Sequence, residues 1–241
     1  MPRSTTCGAR RHPVSGPALL RPQLEACRSG FEASADAALV RSLHRSLDKL
    51  DRTGFSGGAV KAGDLAPGFT LPDQRGARIS LAELLHHGPA VISFFLGTGC
   101  RFCALELRAL AEAIPEIERL GATVVGVSPH VSDTIGDAGL PFRILEDWGC
   151  EVASRYGLAF RLPRELRAAY AALGCPTSAG TRAKSWLLPI PATYVVDTGG
   201  RIVVSYVDAD YTTRLEPSEI IVALTGLRAR STPRSRHTPR K

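Results

Sequence analysis

Two cysteines separated by two residues carry the clearest chemical signal in this sequence. Cys100 and Cys103 lie in the segment GTGCRFCALELRAL, which directly follows the apolar run AVISFFL at residues 90–96. Such a run is typical of a strand buried on both faces, and the residues from about 101 to 120 have helical spacing. We therefore expect Cys100 at the start of a helix and Cys103 one turn inside it, where the two sulfur atoms can meet.

This position favours the thiolate form of cysteine. The unpaired N–H groups and the dipole of a helix start stabilise negative charge, and Arg101 adds a positive charge near by. Because the thiolate is the reacting form and the two sulfur atoms can meet, we favour a reversible disulfide between Cys100 and Cys103. Glu106, one turn after Cys103, is either a proton shuttle for the thiols or an ordinary carboxylate on the helix surface, and we favour the second.

Two other interpretations of the cysteine pair remain open. A structural zinc site needs four ligands, usually as two close pairs, and the chain has neither a second C-x-x-C nor an H-x-x-x-H. The pair could also be two small buried side chains without chemistry, because free cysteine often behaves as a hydrophobe. We favour redox chemistry, with no cofactor and no metal.

The surrounding pattern predicts an α/β protein, a central mixed sheet with helices on both faces. A helical stretch, interrupted near Gly30, is predicted for residues 24–50. Strands are predicted at 69–71, 78–80, 90–96, 122–128, 142–147, 192–197 and 201–208, and helices at 81–87, 101–120, 150–157, 164–174 and 217–227. Pro115 is expected to kink or divide the 101–120 helix, and residues 175–185 are expected to form an exposed insertion.

The net charge of +7 is concentrated at the two ends of the chain. We predict a disordered basic N-terminus at 1–22, a helical extension and linker at 23–60, a folded domain at 61–227 and a disordered basic tail at 228–241. The folded part then has a small acidic excess, which argues against nucleic-acid binding. No apolar run is long enough for a membrane helix, and Pro13, Pro17, Arg21 and Pro22 break up any apolar core of a signal peptide, so we expect a cytoplasmic protein.

Several segments together resemble the peroxiredoxin-like branch of the alkyl hydroperoxide reductase / thiol-specific antioxidant family. The resemblance runs from about residue 61 to residue 227. It is carried by the segments GDLAPGFTLPDQRG, AVISFFLGTGCRFCALELRAL, GATVVGVSP, RILED and PIPATYVVDTGGRIVVSYVDADYTTRLEPSEI. It implies a thioredoxin-like fold with an N-terminal helical extension. Pro191 lies just before a late strand, at the position where thioredoxin-type proteins have a cis-proline facing the C-x-x-C.

The chain departs from the family pattern at the reactive site. On the family motif P-x-x-x-T-x-x-C, Leu96 replaces the proline, Cys100 replaces the threonine, and Cys103 matches the peroxide-attacking cysteine. The family's activating arginine, expected just before the late strand, has no counterpart in SWLLPIPATYVVD. We therefore expect the hydroxyl and the guanidinium to be absent, unless Arg101 or Arg108 substitutes.

The resemblance implies a thiol-dependent oxidoreductase that reduces hydroperoxides through Cys100 and Cys103 and is recharged by thioredoxin or a small thiol. If the site works as in peroxiredoxins, Cys103 is the nucleophile; if it works as in thioredoxins, Cys100 is the nucleophile. Cys175 and Cys150 are weaker candidates for a resolving cysteine. Two other functions remain open: a protein disulfide oxidoreductase without peroxidase activity, and a redox-sensing binding module.

Overall fold

The computed structural model describes residues 19–52, 58–97, 99–129, 139–172, 174–175 and 186–231. Most of the predicted N-terminal segment, most of the predicted basic tail and residues 176–185 of the predicted insertion lie outside these ranges. Inside them, the predicted helices and strands occur in the predicted order, with two short strands in addition. No helix in the described ranges is both long and apolar enough to cross a bilayer.

The elements are numbered here in chain order. The helices are α1 (Leu20–Ser34), α2 (Ala37–Arg52), α3 (Leu81–His87), α4 (Arg101–Arg119), α5 (Glu151–Arg155), α6 (Arg167–Ala172) and α7 (Pro217–Ser231). The strands are β1 (Thr70–Pro72), β2 (Arg78–Ser80), β3 (Ala90–Phe94), β4 (Thr123–Ser128), β5 (Arg143–Glu146), β6 (Ala159–Arg161), β7 (Leu187–Pro189), β8 (Ala192–Val196) and β9 (Ile202–Val207).

A mixed five-stranded sheet forms the centre of the fold, in the order β5-β4-β3-β8-β9. The β3, β4 and β5 strands are parallel, while β8 runs antiparallel to both β3 and β9. The predicted mixed sheet is therefore confirmed. Since Phe94 pairs with Ala192, the start of β8 lies at the same sheet edge as the end of β3.

The two faces of the sheet carry two separate apolar cores. Val91, Phe95 and Val195 pack with α4, α7 and the N-terminal helices in one core. Ile92 and Tyr194 pack with α3 and α5 in the other. Alternate residues of a strand point to opposite faces, and this alternation decides which side chains can reach α4.

The N-terminal extension packs onto the side of the sheet that carries α4. The carboxylate of Glu216 accepts hydrogen bonds from the backbone N–H groups of Leu20 and Arg21, at 3.1 and 2.6 Å. It thereby satisfies amide groups that the first turn of α1 leaves unpaired. Leu20, Leu24 and Phe31 are buried against α4 and its neighbours.

Some boundaries differ from the prediction. The N-terminal helix breaks between Ser34 and Ala37 and not at Gly30, and α4 continues through Pro115 without division. The short antiparallel pair β6–β7 was not predicted. Three-residue strands give too little periodic pattern to be recognised in a sequence.

Candidate active site

Helix α4 begins at the first cysteine, as predicted. Cys100 occupies the N-cap position, and its sulfur accepts a hydrogen bond from the backbone N–H of Cys103 at 3.5 Å. The two thiols also interact, and each shifts the pKa of the other. Both residues are completely buried, with no accessible surface. The pair therefore lies at the predicted helix start, and both residues are buried, as in the interpretation without redox chemistry that was left open.

A guanidinium contacts the second cysteine, contrary to the sequence-based expectation. The Nη2 atom of Arg214 lies 3.6 Å from the sulfur of Cys103. The same side chain donates from Nε to Glu106 at 2.6 Å and from Nη1 to the backbone carbonyls of Tyr211 and Thr213. Every nitrogen of the guanidinium is thus held, and the side chain is only 1% exposed.

Glu106 is a buried partner of this arginine, so our preferred interpretation as a surface carboxylate was wrong. Its side chain is 2% exposed. Besides the ion pair with Arg214, its Oε1 accepts hydrogen bonds from the hydroxyls of Ser93, at 2.9 Å, and Thr193, at 3.2 Å. Ser93 and Thr193 are cross-strand neighbours on the sheet face that carries α4. A buried ion pair persists only with such additional hydrogen bonds.

The expectation of acidic thiols is not met in this reduced, closed structure. For Cys100, the hydrogen bond from Cys103 lowers the pKa, but a hydrogen bond to Cys175 together with burial raises it to about 12. Burial raises the pKa of Cys103 well above its usual value, as does the hydrogen bond to Cys100, while the charge of Arg214 opposes the shift. For Cys103, burial outweighs the guanidinium because a charged sulfur without water is costly.

The predicted supporting residues lie in different places. Arg101 is exposed, and its charge acts on Cys27, where burial raises the pKa of the thiol and Arg101 opposes that shift. Pro191 is buried just before β8, at the sheet edge where β3 ends, and its peptide bond is trans. The charge that reaches Cys103 therefore comes from Arg214 and not from Arg101.

The two weaker candidate cysteines lie on opposite sides of the sheet. Cys175 is buried, 4% exposed, in the same apolar core as Cys100, so it does not belong to an exposed insertion as expected. Cys150 lies in the other apolar core, where its sulfur is 3.5 Å from the carbonyl oxygen of Leu187. The sheet separates Cys150 from Cys100, Cys103 and Cys175. Trp186 is stacked under the guanidinium of Arg167 at 3.6 Å.

The described residues contain no group of three or more histidine, cysteine, aspartate or glutamate side chains that could hold a metal ion. The chemistry available at this site is that of adjacent thiols beside an immobilised guanidinium, on a thioredoxin-like sheet. This combination defines the class of protein as a thiol oxidoreductase of thioredoxin-like fold.

Comparison with known proteins agrees with this class. Residues 62–205 match the model of the AhpC/TSA family, and the chain belongs to that family. It is 29% identical over 150 residues to the chloroplastic peroxiredoxin Q of Triticum aestivum, covering 61% of this chain and 68% of that one. It is 30% identical over 107 residues to the peroxiredoxin Bcp of Escherichia coli, covering 41% of this chain and 65% of that one.

A solved structure supports the fold. The crystal structure of the peroxidoxin BcpB from Mycobacterium tuberculosis superimposes with a TM-score of 0.54 and 24% identity. The match covers 72% of this chain and 99% of that one. The expected thioredoxin-like fold is therefore confirmed.

Proposed function

We propose that this protein is a thiol-dependent peroxidase that reduces hydroperoxides at Cys103 and resolves the product with Cys100. The observation that carries the proposal is the contact between the Arg214 guanidinium and the sulfur of Cys103. A fixed positive charge at that atom stabilises the thiolate and the negative charge that develops on the peroxide oxygens during attack. Family membership supports the same activity.

In the first step, the Cys103 thiolate attacks one oxygen of the hydroperoxide. The O–O bond breaks, Cys103 becomes a sulfenic acid, and the other oxygen leaves as an alcohol or water after taking a proton. Two electrons pass from sulfur to the peroxide. Arg214 is held by Glu106 and two carbonyls, so it needs no reorganisation when charge develops.

In the second step, the sulfur of Cys100 attacks the sulfenic acid. A disulfide forms between Cys100 and Cys103, and the sulfenic oxygen leaves as water. The position of Cys100 at the N-cap, in hydrogen-bond contact with Cys103, supports this role. Thioredoxin or a small thiol then reduces the disulfide by thiol–disulfide exchange, in keeping with a cytoplasmic location.

The reaction requires the site to open, because both sulfur atoms lack accessible surface. Opening admits the peroxide and relieves the burial that raises the pKa of Cys103. The guanidinium of Arg214 is anchored to the domain by three partners and stays close to the sulfur. Thiolate formation and peroxide entry are thus coupled to one motion.

The location of the sulfenic acid tests the proposal. We expect Cys100→Ser, treated with peroxide and a dimedone trap, to carry the adduct on Cys103. Trypsin cuts after Arg101, so the adduct would lie on peptide 102–108 and not on peptide 79–101. The matched variant Cys103→Ser should carry no rapidly formed adduct. A rapid adduct on Cys100 in that variant would contradict the assignment.

A further inference from the structure

A third thiol lies beside the proposed catalytic pair. Cys175 follows α6, its neighbour Gly174 lies against Gly99, the neighbour of Cys100, and the thiol of Cys175 raises the pKa of Cys100. Cys100 is therefore the middle member of a row of three, with Cys103 on one side and Cys175 on the other. All three belong to one apolar core, and Cys175 is only 4% exposed.

The backbone holds the third thiol in this place. Gly99 and Gly174 lie against each other so closely that a Cβ on Gly174 would lie 2.2 Å from the carbonyl oxygen of Gly99. Gly174 also has a φ of 78°, which favours glycine. The backbone N–H of Cys175 donates to the carbonyl of Tyr170 at 2.9 Å. The backbone segments that carry Cys100 and Cys175 are therefore held next to each other.

We propose that Cys175 is a further catalytic residue, which takes over the disulfide from Cys103. The inference rests on the proposed peroxidase cycle. After Cys100–Cys103 forms, the Cys175 thiolate attacks the sulfur of Cys100. A Cys100–Cys175 bond forms, the Cys100–Cys103 bond breaks, and Cys103 leaves as a thiolate. One disulfide replaces another, so no external oxidant or reductant is needed, and the proton of Cys175 passes to solvent or to Cys103.

The arrangement favours this direction of exchange. Exchange is faster when the leaving thiolate is stabilised, and in the opened site, where the burial that raises the pKa of Cys103 is relieved, Cys103 leaves beside the Arg214 guanidinium. The relay also regenerates the peroxide-attacking cysteine before any reductant arrives. The oxidised form is then the Cys100–Cys175 disulfide, and Cys175 is next to the exposed residue Gly174.

Peptide mapping tests the relay because trypsin separates all three cysteines. Cys100 lies on peptide 79–101, Cys103 on 102–108 and Cys175 on 168–182. The fully reduced protein is oxidised with one equivalent of hydrogen peroxide, quenched in acid with N-ethylmaleimide and digested. We expect peptide 79–101 linked to 168–182, with the blocking group on Cys103. Cys175→Ser should give only the link between 79–101 and 102–108.

The stoichiometry of rapid peroxide consumption without reductant gives a second readout. The wild type should consume two equivalents, since the relay frees Cys103, whereas Cys175→Ser should consume one. Gly174→Ala keeps all three thiols but displaces the segment that bears Cys175, and it should also consume one. Cys150→Ser, whose thiol lies across the sheet, is the matched control and should consume two.

The outcomes separate the relay from the peroxidase itself. One rapid equivalent in the wild type, with only the Cys100–Cys103 link, would overturn the relay and leave the proposed function intact. No rapid consumption in any of these proteins would overturn the proposed function and the relay with it. Two equivalents that persist in Cys175→Ser would overturn the assignment of the third thiol.

Discussion

At the scale of single residues, Arg214 makes the contacts that decide the chemistry of the site. Its guanidinium links the sulfur of Cys103 to the carboxylate of Glu106, and its side chain is only 1% exposed. Burial would lower the pKa of Arg214, but Glu106 and the two cysteines raise it, so the group stays charged. A permanent positive charge beside the reactive sulfur is the feature that distinguishes this pair from two buried hydrophobes.

Arg214→Gln is expected to slow the reaction with peroxide by about 10²-fold, because it removes charge stabilisation of the thiolate and of the developing oxyanion. Arg214→Lys should lie in between, since it keeps the charge but loses the planar fork. The second-order rate with hydrogen peroxide measures the effect. Arg101→Gln is the matched control, and its exposed side chain predicts little change. A larger loss in Arg101→Gln than in Arg214→Gln would contradict the assignment.

The sequence allowed the cysteine pair to be predicted but not its partners. The spacing of Cys100 and Cys103 is local, so a helix start is enough to place both. Glu106 did carry a signal, because it lies three residues after Cys103 and four before Leu110, within the buried stripe of α4. Arg214 is 111 residues from Cys103, and its surrounding segment has no periodicity that marks it as buried. Only the tertiary fold brings it to the sulfur.

At the scale of the elements, α1 and the segment before α7 support one another. Glu216 caps the first turn of α1 and lies two residues after Arg214. Arg28 of α1 also pairs with Asp210 at 3.4 Å. The N-terminal extension therefore helps to fix the loop that delivers the guanidinium.

Glu216→Ala is expected to destabilise the protein by about 1 kcal/mol, because the first turn of α1 loses its carboxylate cap. It should also slow the peroxide reaction by loosening the loop that carries Arg214. Urea unfolding and the peroxide rate provide the two measurements. Glu219→Gln is the control, since its exposed ion pair with Arg21 spans 3.8 Å and contributes little. Equal effects of the two variants would show that the cap is unimportant.

Helices and strands could be predicted where the apolar pattern was long or where a capping residue marked a helix start. The apolar runs of β3 and β4 and the Ser80 cap of α3 were sufficient to predict these three elements. Their observed ends agree with the predicted ends to within about two residues. Cys175 was placed wrongly in an exposed insertion because its burial depends on the contact between Gly99 and Gly174. Such a contact between distant loops leaves no periodic trace in either segment.

At the scale of the whole molecule, buried thiols couple stability to pH. The folded-state pKa values of Cys100 and Cys150 are raised to about 12 from a usual 9.0, for Cys150 chiefly by burial. As pH rises above 9.0, the unfolded chain loses these protons before the folded one does. The stabilisation that these thiols contribute is therefore fully present below pH 9.0 and is lost as the pH rises towards 12.

The free energy of unfolding should fall by about 1.4 kcal/mol per pH unit for each such thiol across this range. Urea unfolding of the reduced protein at several alkaline pH values measures the slope. Cys150→Ser removes one thiol remote from the site and should make the slope shallower by that amount. A free energy of unfolding that stays constant above pH 9.0, or an unchanged slope in Cys150→Ser, would contradict the burial described here.

The most direct test of the central claim is the second-order rate constant for hydrogen peroxide and the fully reduced protein, measured by stopped flow against free cysteine. We expect the wild type and Cys100→Ser to react at least about 10²-fold faster than free cysteine at the same pH, because Arg214 acts on Cys103. Cys103→Ser should react no faster than the free thiol. A wild-type rate equal to that of free cysteine, or a fast Cys103→Ser, would contradict the account.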